Sequence, residues 1–109
     1  MAEKNEMRLE FDSRSCNEGF ARVAVAAFLT QLNPTLEEVA DVKTALSEAV
    51  TNCIVHAYEG KVEKVLIECQ VEGNQMELTV KDYGCGIEDV KKSHGTIVYH
   101  QAPGRAGEI

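Results

Sequence analysis

Glu48, Asn52 and His56 stand at i, i+4 and i+8 in a segment of helical periodicity, so three chemically capable side chains project from one stripe. At about 100° per residue, that stripe lies far round from an apolar stripe centred on Leu46. It is either a solvated polar face or the wall of a cleft. As a wall it carries a carboxylate able to take a proton from a hydroxyl. It also carries a neutral amide oxygen suited to Mg²⁺, a hard cation that prefers oxygen ligands and keeps several waters. A second group follows at the end of an apolar-periodic strand, Asp82-x-Gly84-x-Gly86. An aspartate there can accept a hydrogen bond from an exocyclic amine such as that of adenine. The glycines let backbone approach a ligand without Cβ interference. An ordinary glycine-rich turn has the same composition. The ordered combination, E-x-x-x-N-x-x-x-H on a helix, two strands, then D-x-G-x-G, is more specific than either part.

The elements that must position these groups follow from periodicity. Met7, Leu9 and Phe11 alternate with Arg8 and Glu10, the period of a half-buried strand. Ser15-Cys16-Asn17-Glu18 matches a capping box, with Ser15 as N-cap and Glu18 reaching back. Phe20, Val23, Ala24, Ala27, Phe28 and Leu32 then set the expected core stripe of a first helix, which Asn33-Pro34 ends. Thr35-Leu36-Glu37-Glu38 is a second capping box. The helix it opens has the stripe Val39, Val42, Leu46, Ala49, Val50 and Cys53 and runs to about Ala57. Beyond Gly60 the period becomes two: Val65, Ile67, Cys69 and Val71 share one strand face, and Met76, Leu78 and Val80 another. Glu72-Gly73-Asn74 between them is hairpin chemistry. Helices segregated to one face of a mixed or antiparallel sheet make an α+β fold, a two-layer α/β sandwich.

The chain's 109 residues allow a single domain. Apolar residues at 44% and charged residues at 27% are an ordinary globular balance. Eleven Lys and Arg against 18 Asp and Glu give a net charge of -7, which favours a basic protein partner over direct nucleic-acid binding. No apolar run approaches the ~20 residues that span a bilayer, so no membrane role is expected. Nothing behind Met1 has the pattern of a secretory signal. Cys16, Cys53, Cys69 and Cys85 form no C-x-x-C pair, which argues against zinc and for reduced thiols in a cytoplasmic protein. Cys85, inside the glycine loop, is either a small filler or a reactive thiol.

The combined motif resembles the ATP-binding family shared by histidine kinases, gyrase, the Hsp90 chaperone and MutL, the GHKL or Bergerat fold. Within it, Asn5-Glu6-Met7-Arg8-Leu9-Glu10-Phe11, Asn17-Glu18-Gly19-Phe20-Ala21-Arg22 and Ser47-Glu48-Ala49-Val50-Thr51-Asn52 are similar to the anti-sigma F factors of spore-forming bacteria. The likeness covers about Asn5 to Lys92. It implies an ATP-dependent serine kinase that silences a sigma factor and phosphorylates an anti-anti-sigma protein. Carried over by position, Asn52 would be the Mg²⁺ ligand and Glu48 the catalytic base. Asp82 would contact adenine, with Gly84 and Gly86 shaping that end of an ATP pocket. Glu18 and Arg22 match positions used at the shared sigma and anti-anti-sigma surface; they also describe a plain i,i+4 surface pair. A homodimer is implied, with the N-terminal strand offering an edge to a second copy. His56 has a counterpart in the family, although Ala57 follows where a glycine is usual. His94 and His100 match no pattern.

After Lys92 the chain departs from the family, which continues into a lid with a T-T-K-P segment and a second glycine turn. Removing one base from an adenine run encoding Lys92-Ser93 allows the following codons to read K-A-M-E-P-L-Y-T-T-K-P-P-G-E-Q-E-R, similar to that lid. Residues 1–92 are thus expected to form the N-terminal portion of the ATPase domain, with its C-terminal part missing. Residues 93–109 are expected to be an out-of-frame, poorly ordered tail that leaves the sheet edge uncovered. Phosphates need amides or cations to hold them, so the alternative function is a catalytically dead binding module that keeps only its protein contacts.

Overall fold

The computed structural model describes residues 4–57, 62–82 and 92–101. Its elements run β1 (Lys4–Asp12), α1 (Cys16–Leu29), a 3-10 turn (Thr30–Leu32), α2 (Leu36–Asn52), a π turn (Cys53–Ala57), β2 (Lys64–Glu72), β3 (Gln75–Asp82) and β4 (Lys92–His100). The strands form one sheet in the order β1-β2-β3-β4, every neighbouring pair antiparallel. Both helices lie on one face of it, giving the α+β two-layer sandwich expected from the alternation of periods.

The β2–β3 hairpin turns at Gly73, whose φ of 64° lies in the left-handed region that favours glycine. Strand alternation sends Val65, Ile67, Cys69 and Val71 of β2 and Met76, Leu78 and Val80 of β3 to the buried face. They meet Ala21, Val25, Leu29 and Leu32 from the first helical segment and Val42, Leu46, Ala49, Val50 and Cys53 from the second. Asp82 continues the β3 alternation and therefore faces the helix layer, where it is buried.

Three expectations are corrected. The buried stripe of α1 is Ala21, Val25 and Leu29; Phe20 and Val23 are 53% and 66% exposed. This helix is apolar nearly all round, so periodicity alone does not choose which face turns inward. The ring of Phe20 instead meets Phe11 edge-on, with centroids 6.4 Å apart. The Ser15 capping box does not form either. Ser15 has helical dihedrals, and its side chain makes no capping bond. The entry turn is held by Asn17, whose amide donates to the Asp12 carbonyl at 2.9 Å.

The third correction concerns residues 93–101 of the expected tail; residues 102–109 lie outside the described residues. Lys92–His100 pairs with β3, with Leu78 opposite Ile97 and Met76 opposite Tyr99. Thr96-Ile97-Val98-Tyr99 has β-branched and aromatic residues in a row, which suits a pleated half-buried surface whatever its origin. Tyr99 is buried and donates its hydroxyl to Glu38 at 2.9 Å. Buried Gln101 donates its side-chain amide to the Leu32 carbonyl at 2.7 Å and its backbone N–H to Asn74 at 2.7 Å.

Candidate functional site: the polar wall of helix α2

Helix α2 is fixed at both ends. The Thr35 capping box forms in full: the Glu38 N–H donates to the Thr35 hydroxyl at 3.1 Å, and the Thr35 N–H donates to the Glu38 carboxylate at 2.8 Å. Glu38 also receives the Tyr99 hydroxyl, so the start of α2 is tied to β4. At the other end Cys53 is buried, and its N–H is shared between the carbonyls of Ala49 and Val50. The chain then widens into the π turn. Such one-turn insertions commonly accompany functional positions, and this one begins at the residue after Asn52.

Between these anchors, Ser47, Glu48, Thr51 and Asn52 line an open hollow of about 530 Å³. Two parallel i,i+4 rows make this wall, Ser47 with Thr51 and Glu48 with Asn52. Glu48 and Asn52 are both exposed. The donor set is a carboxylate, an amide oxygen and two hydroxyls, all hard oxygen, which fits Mg²⁺ and a polar ligand. Ser47 and Thr51 were not singled out from the sequence. Their signal was available in the i,i+4 row directly beside Glu48 and Asn52.

Asp82 is not one of the described walls of that hollow. It sits at the end of β3, 2% exposed, on the sheet face against which the π turn packs. Its charge is felt at Cys53, whose thiol is pushed up to about 12, first by burial and then by the Asp82 carboxylate. Asp82 thus lies beside the residue that follows Asn52, at the C-terminal end of the polar wall. Gly84, Gly86 and Cys85 lie outside the described residues, as does the side chain of His56. The π turn interrupts the α-helical spacing on which the i+8 position of His56 was read.

Glu18 and Arg22 lie one turn apart on α1, with Arg22 Nε 3.0 Å from Glu18 Oε2. The Nε atom is buried, and its N–H is aligned with no acceptor among the described residues. The contact is an ion pair without a formed hydrogen bond. The same Glu18 oxygen accepts the hydroxyl of Ser47 across the helix pair. The two residues expected at a partner surface are therefore linked to the wall of the hollow.

The sequence profile of the histidine kinase-like ATPase domain matches residues 12–107. The chain belongs to this family. Among similar proteins, the anti-sigma F factor of Thermoanaerobacter sp. (strain X514) is 55% identical over 89 residues, which are 82% of this chain and 62% of the relative. The anti-sigma F factor of Clostridium kluyveri (strain ATCC 8527) is 57% identical over 86 residues, 79% of this chain and 61% of the relative. That of Clostridium novyi (strain NT) is 53% identical over 100 residues, 91% and 69% respectively. The chain spans about three fifths of the length of the first of these relatives. Among the described residues, no helix of this ATPase-domain protein is long and apolar enough to cross a membrane.

Proposed function

We propose that the chain is an anti-sigma factor that binds ATP at the polar wall of α2 and transfers its terminal phosphate to a serine of an anti-anti-sigma protein. The observation that carries this reading is the exposed Glu48–Asn52 pair, one helical turn apart in an open hollow, in a chain of the histidine kinase-like ATPase family. The partners follow from the names of the relatives, and the acidic surface suits a basic protein partner.

Each residue has a separable task in this reading. Asn52, with water, would hold Mg²⁺, which when bound neutralises charge on the phosphates. Glu48 takes the proton of the substrate serine as that oxygen bonds to the terminal phosphorus and ADP leaves. Asp82, held inside the helix layer, accepts the adenine amine, and Gly84 and Gly86 let the chain approach the nucleotide. Arg22, the more exposed of the Glu18–Arg22 pair, presents its guanidinium to the sigma factor and to the anti-anti-sigma protein, with Glu18 beside it. The edge of β1, unpaired among the described residues, offers a second copy a strand to extend.

Titration of the purified chain with a fluorescent ATP analogue in Mg²⁺, with a serine phosphotransfer assay, tests the proposal. Micromolar binding is expected, reduced at least tenfold in Asn52→Ala, with transfer reduced at least a hundredfold in Glu48→Gln while binding is kept. Binding of a sigma factor with no detectable nucleotide binding would establish the non-catalytic module instead.

A further inference from the structure

We infer that Ser47 is a positioning residue for this site: its hydrogen bond to Glu18 fixes the wall carrying Glu48 and Asn52 against helix α1. The inference rests on the nucleotide reading above and deepens it.

A serine inside a helix ordinarily turns its hydroxyl to its own i-4 carbonyl or to water. Ser47 instead donates to a carboxylate on the neighbouring helix. That acceptor is itself located: Glu18 is in the first turn of α1, where the helix dipole favours a negative charge, and Arg22 Nε stands 3.0 Å away. Glu18 is three-quarters buried, so the bond is made to a charge partly shielded from water, where such bonds are stronger than neutral ones.

The wall needs such a tie. Glu48 and Asn52 make no side-chain hydrogen bond within the described residues, so their positions depend on where the helix itself is held. The apolar stripe sets the depth of α2 on the sheet, but hydrophobic contact is non-directional. A directional bond from Ser47, immediately beside Glu48 and in the row of Thr51, sets the rotation of the wall. Loss of such placement costs a site far more than it costs a fold.

The test is a set of titrations with a fluorescent ATP analogue in Mg²⁺ on the whole chain. The variants are Ser47→Ala, Ser47→Thr, Glu18→Ala and the Ser47→Ala/Glu18→Ala double, with Val71→Ala, a buried position at the hairpin end of β2, as a destabilised control outside the wall and its anchors. Each alanine variant at Ser47 or Glu18 is expected to weaken binding about tenfold, the worth of one hydrogen bond to a charged group. The double variant should bind no more weakly than the poorer single, because both remove one interaction. Ser47→Thr keeps the hydroxyl and should bind within about threefold of the unsubstituted chain, and Val71→Ala should bind as that chain does. The inference is overturned if Ser47→Ala binds normally, if the two single losses multiply in the double, or if Val71→Ala loses as much affinity as Ser47→Ala. A chain that binds no nucleotide before any substitution overturns the nucleotide reading, and the inference with it; every other failure leaves that reading standing.

Discussion

Burial sets the chemistry of individual thiols in this fold. Cys53 and Cys69 are both held up at about 12, by burial in each case and also by the Asp82 carboxylate at Cys53. Their ordinary value is 9.0. Well below pH ~9 both thiols are neutral in the folded and unfolded chain, so neither makes stability depend on pH there. Between about 9 and 12 the unfolded chain releases protons that the folded chain retains. Stability is therefore expected to fall as pH rises through that window. Urea midpoints at pH 8 and 10.5 check it: the drop should be smaller in a Cys53→Ala/Cys69→Ala chain than in the parent. An equal drop in both would assign the alkaline loss to other groups. Asp82 and Asn52 stood out from the sequence at this scale because an aspartate and an amide are uncommon choices at the end of an apolar strand and inside a helix. Ser47 was not, since a serine on a polar helix face is compositionally ordinary until its acceptor is known.

Helix ends and strand faces show where sequence reading succeeds and where it stops. Two capping boxes were written in the chain, and one formed. Thr35 has extended dihedrals and exchanges both bonds with Glu38. Ser15 is already helical, and Glu18, the other half of that motif, is committed to Ser47 and Arg22. A tertiary acceptor thus outcompetes a local motif, a competition that spacing does not reveal. Thr35→Ala is therefore expected to cost about 1 kcal/mol and Ser15→Ala less than about 0.5 kcal/mol, read from urea unfolding. A Ser15 cost equal to that of Thr35 would mean that its hydroxyl caps α1 in solution. The faces of α2, β2 and β3 were readable because each has one apolar side. The face of α1 was not, because Phe20, Val23 and Ala27 compete with Ala21, Val25 and Leu29 on equal terms. The Asp82 side was readable by parity alone: it is two residues beyond buried Val80.

At the scale of the whole molecule, the edge strand β4 is the element on which both stability and site converge. Its expected disorder rested on departure from a family pattern, and a pattern says nothing about whether a different segment can satisfy the same sheet edge. Ile97 and Tyr99 pair across the strands with Leu78 and Met76 of β3, and Glu38 and Leu32 receive bonds from Tyr99 and Gln101. The segment therefore touches the sheet, the start of α2 and the end of the first helical segment at once. Among the described residues, ending the chain after Lys91 removes one buried aromatic and one half-buried aliphatic side chain, together with the ladder of hydrogen bonds to β3. By area alone the loss is about 3 kcal/mol, a large share of the ~5–15 kcal/mol that holds a domain of this size. A urea midpoint well below that of the full chain is expected, and an unchanged midpoint would show that β4 adds nothing to the fold. The same truncation bears on function through register. Lys92 stands opposite Asp82 at the end of β3, so β4 closes the strand terminus that presents the proposed adenine acceptor. Nucleotide affinity should therefore fall further in the truncated chain than in a Thr35→Ala chain brought to the same stability, because only the truncation frees the end of β3.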